Sequence, residues 1–167
     1  MKKKIAILGS TGSIGKTTFD IIKKDKKNFD VILLTTHKNI KELYKQSKIL
    51  NVKNLIVTDT KSYINLKNKI KNKETKIFNN YNNLNQILKK KLDYTMSSIS
   101  GLAGLQPTLM IIGKTKTIAI ANKESIICGW SLIDKKLKKH KTNFIPVDSE
   151  HFSIWSLINN YENNLID

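Results

Sequence analysis

A glycine-rich turn near the start of the chain limits the possible folds more than any other feature of the sequence. The turn, GSTGSIG at residues 9–15, directly follows the apolar run Ile5–Leu8 and precedes residues 16–22, where apolar residues recur at helical spacing. A buried strand that enters a helix through glycines is typical of phosphate binding, because glycines allow close approach to the backbone and the helix N-terminus offers unpaired N–H groups. A tight turn in another kind of α/β protein is the alternative. We predict a nucleotide-binding turn.

Strands and helices alternate along the rest of the chain, which predicts a parallel sheet with helices on its faces. Predicted strands lie at residues 4–8, 30–35, 54–57, 76–78, 93–97 and 116–120, followed by an extended segment at 143–147. Predicted helices lie at residues 14–24, 39–50, 60–71, 82–91, 102–112, 123–138 and 151–161. The predicted fold class is therefore α/β, a Rossmann-like doubly wound parallel sheet. The last predicted helix has a wide apolar face that includes Trp155, which implies a partner, an oligomer or further chain.

The strong positive charge of the chain raises the question of a nucleic-acid partner. A net charge of +17 over 167 residues usually suggests nucleic acid. Every basic residue here is lysine, however, and arginine is the residue that reads bases and clamps phosphates through bidentate contacts. We therefore predict no nucleic-acid partner. A lysine-rich nucleic-acid binder stays the alternative, and steeply salt-dependent binding would reveal it.

Other compositional features concern location and metal chemistry. No apolar run approaches the roughly 20 residues of a membrane span, and the apolar run after Lys2–Lys4 is too short for a signal peptide. We predict a cytoplasmic protein with no membrane partner. The single cysteine, Cys128, excludes an internal disulfide and a thiolate zinc cluster.

The end of the second predicted strand bears on which dinucleotide would bind. In dinucleotide folds an acidic residue there holds the ribose 2′-hydroxyl of NAD. Residues 35–39 read Thr-Thr-His-Lys-Asn and contain no acid. Hydroxyl groups, His37 and Lys38 suit a 2′-phosphate, so the sequence favours NADPH. The alternative is that both are ordinary surface residues.

Two further segments place polar residues at the same edge of the predicted sheet. ANKES at residues 121–125 follows the strand at 116–120, although helix capping explains Glu124 and Ser125 equally well. PVDSEH at residues 146–151 holds Asp148 and Glu150 two positions apart, and two hard oxygen ligands at that spacing suit Mg²⁺ or Mn²⁺. Taken alone, a helix cap at Asp148 or Ser149 is the favoured interpretation of this segment.

Together the three motifs are more specific than any one of them. GSTGSIG, ANKES and PVDSEH, in this order and spacing, resemble the 1-deoxy-D-xylulose 5-phosphate reductoisomerase family, and SISGLAGLQP at residues 98–107 resembles it as well. The resemblance covers the cofactor domain and only the beginning of the catalytic domain. It implies an NADPH-binding Rossmann-like domain at residues 1–142 and an incomplete catalytic, metal-binding domain at residues 143–167.

The resemblance also implies roles for individual residues. Those matching cofactor contacts are Thr11, Gly12, Ser13, Ile14, Lys38, Asn39, Asn122 and Glu124. Lys123 and Ser149 match substrate contacts, and Asp148 and Glu150 match ligands of the divalent cation, so the implied catalytic residues are Lys123, Ser149 and Glu150. His37 departs from the family, which often has a small residue such as glycine at this position.

The implied activity is the NADPH- and divalent-cation-dependent isomerisation and reduction of 1-deoxy-D-xylulose 5-phosphate to 2-C-methyl-D-erythritol 4-phosphate, in non-mevalonate isoprenoid biosynthesis. The family's enzyme is much longer and is a homodimer, and its later half supplies another acidic ligand and most substrate-phosphate contacts. We therefore expect this chain alone to be inactive. The alternatives are an NADPH-binding fragment or half of a split enzyme, and another oxidoreductase such as aspartate-semialdehyde dehydrogenase, against which residues 148–151 argue.

Overall fold

A computed structural model describes residues 1–70, 74–147, 152, 153, 155 and 156. Its centre is one sheet of seven strands, all of which pair in parallel. The strands are β1 (Lys3–Leu8), β2 (Phe29–Thr36), β3 (Asn54–Val57), β4 (Lys76–Phe78), β5 (Leu92–Ser97), β6 (Thr115–Ile120) and β7 (Asn143–Pro146). The predicted strand positions are confirmed to within a residue or two. They could be predicted because near-continuous apolar runs are typical of parallel strands buried on both faces.

Between residues 1 and 147, apart from the undescribed residues 71–73, six α-helices cover the two faces of this sheet. They are α1 (Ser13–Lys24), α2 (Ile40–Leu50), α3 (Thr60–Lys69), α4 (Leu84–Ile87), α5 (Leu105–Ile111) and α6 (Lys123–His140). One core packs α1, α2 and α3 against the sheet through Ile22, Leu43 and Leu66. The other core packs α4, α5 and α6 against the opposite face. The predicted doubly wound α/β architecture is confirmed.

Two predicted helices differ from those in the structure. The prediction of one helix at residues 82–91 is wrong: a 3-10 turn at Tyr81–Asn83 leads into the single turn of α4. The predicted helix at residues 102–112 is divided, with 3-10 turns at Leu102–Gly104 and Ile112–Lys114 on either side of α5. Because α5 begins at Leu105, Pro107 lies in its first turn, where the missing N–H costs no helical hydrogen bond.

The strand order creates the crevice that matters for function. In the order β4-β3-β2-β1-β5-β6-β7, the chain builds outward from β1 through β2, β3 and β4, and then returns to the other side of β1 with β5. The connections after β1 and β5 therefore diverge at the carboxyl edge of the sheet. Open α/β sheets bind ligands at such a switch point.

The far edge of the sheet leads towards the predicted metal ligands. β7 pairs with β6 and ends at Pro146, and Val147 follows it. Asp148, Ser149, Glu150 and His151 lie outside the described residues, and so does most of the predicted helix at 151–161. The second domain predicted from residue 143 onward stays a prediction. Among the helices described, none combines the length and apolarity that a membrane crossing requires.

Candidate cofactor-binding site

Two glycines of the turn are required by the fold itself. Gly9 has a φ of +75°, and a Cβ built on it would lie 2.8 Å from the backbone oxygen of Ser98 in the loop after β5. A Cβ on Gly15 would overlap the backbone oxygen of Gly9 and lie 2.7 Å from the Cα of Ser10. Helix α1 therefore packs directly against the turn, and both positions exclude any side chain.

Gly12 is different, because nothing in the fold demands a glycine there. Its φ of −76° and ψ of 177° are ordinary for an N-cap residue, and a Cβ would lie 3.4 Å from the Gly9 oxygen, which is normal contact. Within the described residues, no side chain caps α1. The N–H groups of the first turn of α1, those of Ser13 and Ile14 among them, are therefore left open to an anion from outside the helix.

The turn is held in place by the end of β2. The Gly9 N–H donates to the Thr35 hydroxyl at 2.9 Å, and the Ser10 N–H donates to the Thr35 carbonyl at 2.9 Å. The hydroxyl groups of Thr11 and Thr36 share a hydrogen bond of 2.7 Å. These bonds tie the predicted phosphate turn to the strand end that was predicted to select the cofactor.

Tyr81 supports the same junction from the opposite side. Its hydroxyl donates to the Thr35 hydroxyl at 3.0 Å, and burial raises the pKa of Tyr81 to about 12. The phenol therefore stays protonated at neutral pH and remains a donor. Behind the turn, the buried amide of Gln46 donates to the Ser10 carbonyl at 2.9 Å. The turn is thus fixed before any ligand binds.

A first cleft of about 500 Å³ opens beside these contacts. It lies between the glycine turn, the ends of β2 and β3, and the segment that follows β5. Its lining residues include Thr11, Gly12, Thr36, His37, Lys38, Asn39, Thr58, Tyr81, Ser98, Ile99 and Ser100. Four of the predicted cofactor residues, Thr11, Gly12, Lys38 and Asn39, line this cleft.

The charge of the first cleft comes from the end of β2. The side chain of Asn39 caps α2 by accepting from a first-turn N–H at 3.2 Å. The carboxylate of Asp59 caps α3 in the same way, and its pKa is lowered by hydrogen bonds from Ser62 and then by the charges of Lys38 and His37. The ionised carboxylate of Asp59 is engaged with α3 and does not line the cleft, whereas Lys38 brings a positive charge to this end and His37 adds an imidazole ring.

A second cleft of about 430 Å³ lies on the other side of the switch point. It shares the segment Ser98–Ser100 with the first cleft, so the two adjoin. Its remaining lining residues are Ser13, Ile14, Ala121, Asn122, Lys123, Glu124 and Val147. The other four predicted cofactor residues, together with Lys123, therefore lie here.

Asn122 has an internal role that the sequence did not reveal. Its buried amide nitrogen donates to the carbonyls of Ile99 and Gly101, and its oxygen accepts from the Ser125 N–H at 2.9 Å, which caps α6. Both N–H groups of the amide are thus used inside the protein. Asn122 holds the wall shared by the two clefts, while Glu124 is an exposed acid in the first turn of α6.

The structure thus brings together nine predicted site residues from three separate segments. Cofactor contacts at these residues stay predictions, as does the substrate contact at Lys123. Asp148, Ser149 and Glu150 lie outside the described residues, and within the described part of the chain no cluster of His, Cys, Asp or Glu side chains could hold a metal ion. Thr58 and Tyr81 also line the first cleft and are not among the predicted site residues. Thr58 had a detectable signal, since it follows the third predicted strand at the same sheet edge.

A doubly wound parallel sheet with a glycine turn, an open helix N-terminus and two adjoining clefts at its switch point defines a dinucleotide-binding domain of the Rossmann type. The family model described as 1-deoxy-D-xylulose 5-phosphate reductoisomerase matches residues 5–129. Since that match covers most of the chain, this chain belongs to the 1-deoxy-D-xylulose 5-phosphate reductoisomerase family.

Individual relatives agree with this assignment. The 1-deoxy-D-xylulose 5-phosphate reductoisomerase of Pelagibacter ubique (strain HTCC1062) is 61% identical over 164 residues, which are 97% of this chain and 42% of that protein. The Zymomonas mobilis reductoisomerase in complex with NADPH aligns with a TM-score of 0.82 at 36% identity, covering 90% of this chain and 40% of that one. A reductoisomerase in complex with NADPH, fosmidomycin and magnesium aligns with a TM-score of 0.80 at 32% identity, covering 89% of this chain and 37% of that one. The chain thus spans about two fifths of the length of these relatives.

Proposed function

We propose that this chain is the NADPH-binding part of a 1-deoxy-D-xylulose 5-phosphate reductoisomerase. Within a longer protein it would take part in the isomerisation and reduction of 1-deoxy-D-xylulose 5-phosphate to 2-C-methyl-D-erythritol 4-phosphate, in cytoplasmic non-mevalonate isoprenoid biosynthesis. The main support for the proposal is the position of the eight predicted cofactor contacts. They come from separate parts of the sequence and line two adjoining clefts at the switch point. A homodimer is expected for the longer form.

The chain's own groups fit the phosphates of NADPH. The uncapped N-terminus of α1 offers N–H groups for the pyrophosphate, and Gly12 has no side chain that would block it. Lys38, at the acid-free end of β2, suits the 2′-phosphate. NADPH supplies the hydride when bound, and the protein supplies orientation. The relatives solved with NADPH support this assignment.

The second cleft is where we place the reacting end of the cofactor and the substrate. Lys123 and Glu124 lie there at the start of α6, where Lys123 would bind the phosphorylated sugar. Val147 also lines this cleft, and Asp148 is the next residue in the chain. We propose Asp148 and Glu150 as ligands of Mg²⁺ or Mn²⁺, since carboxylate oxygens suit these ions, and Ser149 as a substrate contact.

Titration of the purified chain with NADPH tests the cofactor proposal. We expect the wild-type chain to bind NADPH, and Gly12→Val to weaken binding at least tenfold, because the added branches would occupy the approach to the α1 N-terminus. The matched control is Thr17→Val, an exposed position later in the same helix, which should bind normally. A wild-type chain that does not bind NADPH would refute the proposal. A Gly12→Val variant with unchanged affinity for NADPH would show that the glycine turn is not the phosphate-binding site.

The activity of the chain alone separates the remaining alternatives. We expect no turnover of 1-deoxy-D-xylulose 5-phosphate by the 167-residue chain, because it spans about two fifths of the length of its reductoisomerase relatives. If the chain is half of a split enzyme, a co-purifying second polypeptide should restore turnover. Turnover by the purified chain alone would contradict the expectation that it is incomplete.

A further inference from the structure

The polar groups at the carboxyl end of β2 are not equally available to a ligand. The Thr35 hydroxyl accepts from the Gly9 N–H and from Tyr81, and the Thr36 hydroxyl is bonded to that of Thr11. The Asn39 side chain caps α2. The oxygens of these groups are therefore engaged within the protein, whereas the amide nitrogen of Asn39 keeps its N–H donors. His37 and Lys38 are the remaining polar side chains of residues 35–39.

His37 is exposed, yet its ring has a defined neighbour. Its Nδ1 lies 2.9 Å from the hydroxyl of Thr58, the residue that follows β3. The backbone around this pair is also ordered, because the Thr58 N–H donates to the Thr36 carbonyl at 3.1 Å and the Asp59 N–H donates to the His37 carbonyl at 3.1 Å. Among the described residues, no partner occupies the other ring nitrogen, Nε2. The ring therefore has one edge anchored on the protein and one edge free.

The groups that line the cleft beside the free edge of His37 are hydrogen-bond donors rather than carboxylates. Lys38 is adjacent and lines the same cleft. Asp59, on the neighbouring loop, has its carboxylate engaged with the Ser62 N–H at 2.9 Å. A ribose 2′-hydroxyl would need an acceptor here, and the end of β2 offers no carboxylate. A phosphate needs donors, which His37 and Lys38 provide.

We propose that His37, oriented by Thr58, binds the 2′-phosphate of NADPH beside Lys38 and so determines the preference for NADPH over NADH. The inference rests on the proposed NADPH binding. Thr58 is a positioning residue in this arrangement: its hydroxyl holds Nδ1, so that Nε2 is presented to the phosphate. His37 at the end of β2 and Thr58 at the end of β3 together form the proposed binding site for this doubly charged phosphate group.

The test is to measure Kd values of the 167-residue chain for NADPH and for NADH in parallel. His37→Ala should weaken NADPH binding by about tenfold, the usual effect of losing one hydrogen bond to a charged group. NADH binding should be nearly unchanged. His37→Gln keeps an N–H donor and should recover part of the lost affinity. Lys41→Ala, which removes an exposed lysine that does not line the cleft, controls for general electrostatic attraction.

Thr58→Val tests the positioning role, since it removes the hydroxyl with little change of shape. It should weaken NADPH binding by about threefold in the wild-type chain, and should have no effect when His37 is already alanine. Equal losses in both backgrounds would mean that Thr58 acts independently of His37.

The outcomes separate this inference from the proposed function. A wild-type chain that binds neither nucleotide overturns both. A chain that binds NADPH normally after His37→Ala overturns only the inference, and so does a variant that loses NADPH and NADH affinity to the same extent.

Discussion

Replacing Gly12 with serine should stabilise the free protein and weaken its cofactor binding at the same time. The backbone of Gly12 already has the extended conformation of an N-cap, and a Cβ there meets only the Gly9 oxygen at 3.4 Å and the Ser98 oxygen at 3.9 Å. A serine hydroxyl at the N-cap would accept a hydrogen bond from the first turn of α1, which is uncapped at present. The same N–H groups are those proposed for the pyrophosphate.

The expected gain in stability can be worked out from two contributions. Serine in place of glycine at an N-cap contributes a few tenths of a kcal/mol, and removing a glycine from the unfolded chain contributes about 0.4–1 kcal/mol. The free energy of unfolding should therefore rise by about 1 kcal/mol. In contrast, NADPH binding should weaken about tenfold, because the hydroxyl competes with the phosphate for the same donors.

Urea unfolding with and without NADPH measures both effects in one experiment. At a hundredfold excess over the wild-type Kd, NADPH should stabilise the wild-type chain by about 2.7 kcal/mol. At the same NADPH concentration, a tenfold weaker variant should gain only about 1.4 kcal/mol. A Gly12→Ser chain that is less stable without NADPH, or that gains as much from NADPH as the wild type, would refute the reasoning about this helix end.

Three further predictions follow from contacts within the site. Gly15→Ala should lower the free energy of unfolding by about 1–3 kcal/mol, measured in urea, because its Cβ has no space between α1 and the turn. Tyr81 should titrate in ultraviolet absorbance with a pKa of about 12, and the Tyr81→Phe variant should lack this signal. Because this pKa is raised in the folded protein, the contribution of Tyr81 to stability is complete below pH 10 and is lost as the pH rises towards 12. Asn122→Asp should keep the cap on α6 and yet weaken NADPH binding, because a carboxylate cannot donate to the carbonyls of Ile99 and Gly101. Calorimetric titration with NADPH measures this loss, and an unchanged affinity would contradict a role of Asn122 in shaping the clefts.

The sheet was predictable from sequence because its strands are short apolar runs with few competing interpretations. β2 is almost continuously apolar, as a strand covered by helices on both faces has to be. The region after β4 was less predictable. Its spacing favours one long helix, but the Asn80 side chain accepts from the Asn82 N–H at 3.0 Å and starts a 3-10 turn there. Local side-chain bonds of this kind compete with helix formation, and apolar spacing does not report them.

In the site, too, the sequence pattern predicts which residues lie at the sheet edge, whereas the hydrogen bonds between them depend on tertiary structure. The positions of Gly12, Lys38 and Lys123 at one sheet edge follow from strand order, which the alternation of elements implies. The hydrogen bond between His37 and Thr58 joins residues 21 positions apart, and that between Tyr81 and Thr35 joins residues 46 positions apart. Such bonds depend on the exact separation of strand ends, so no motif in the sequence predicts them.

The three glycines of the turn show why this distinction matters for function. Gly9 and Gly15 are needed because the turn, α1 and the loop after β5 touch one another, so their replacement reports on folding whether or not a cofactor binds. Gly12 has room for a side chain and an ordinary backbone conformation, so folding does not explain the absence of a side chain there. A glycine that the empty protein does not need is most simply explained by a ligand that needs the space. Of the three, Gly12 therefore carries the functional information of the motif.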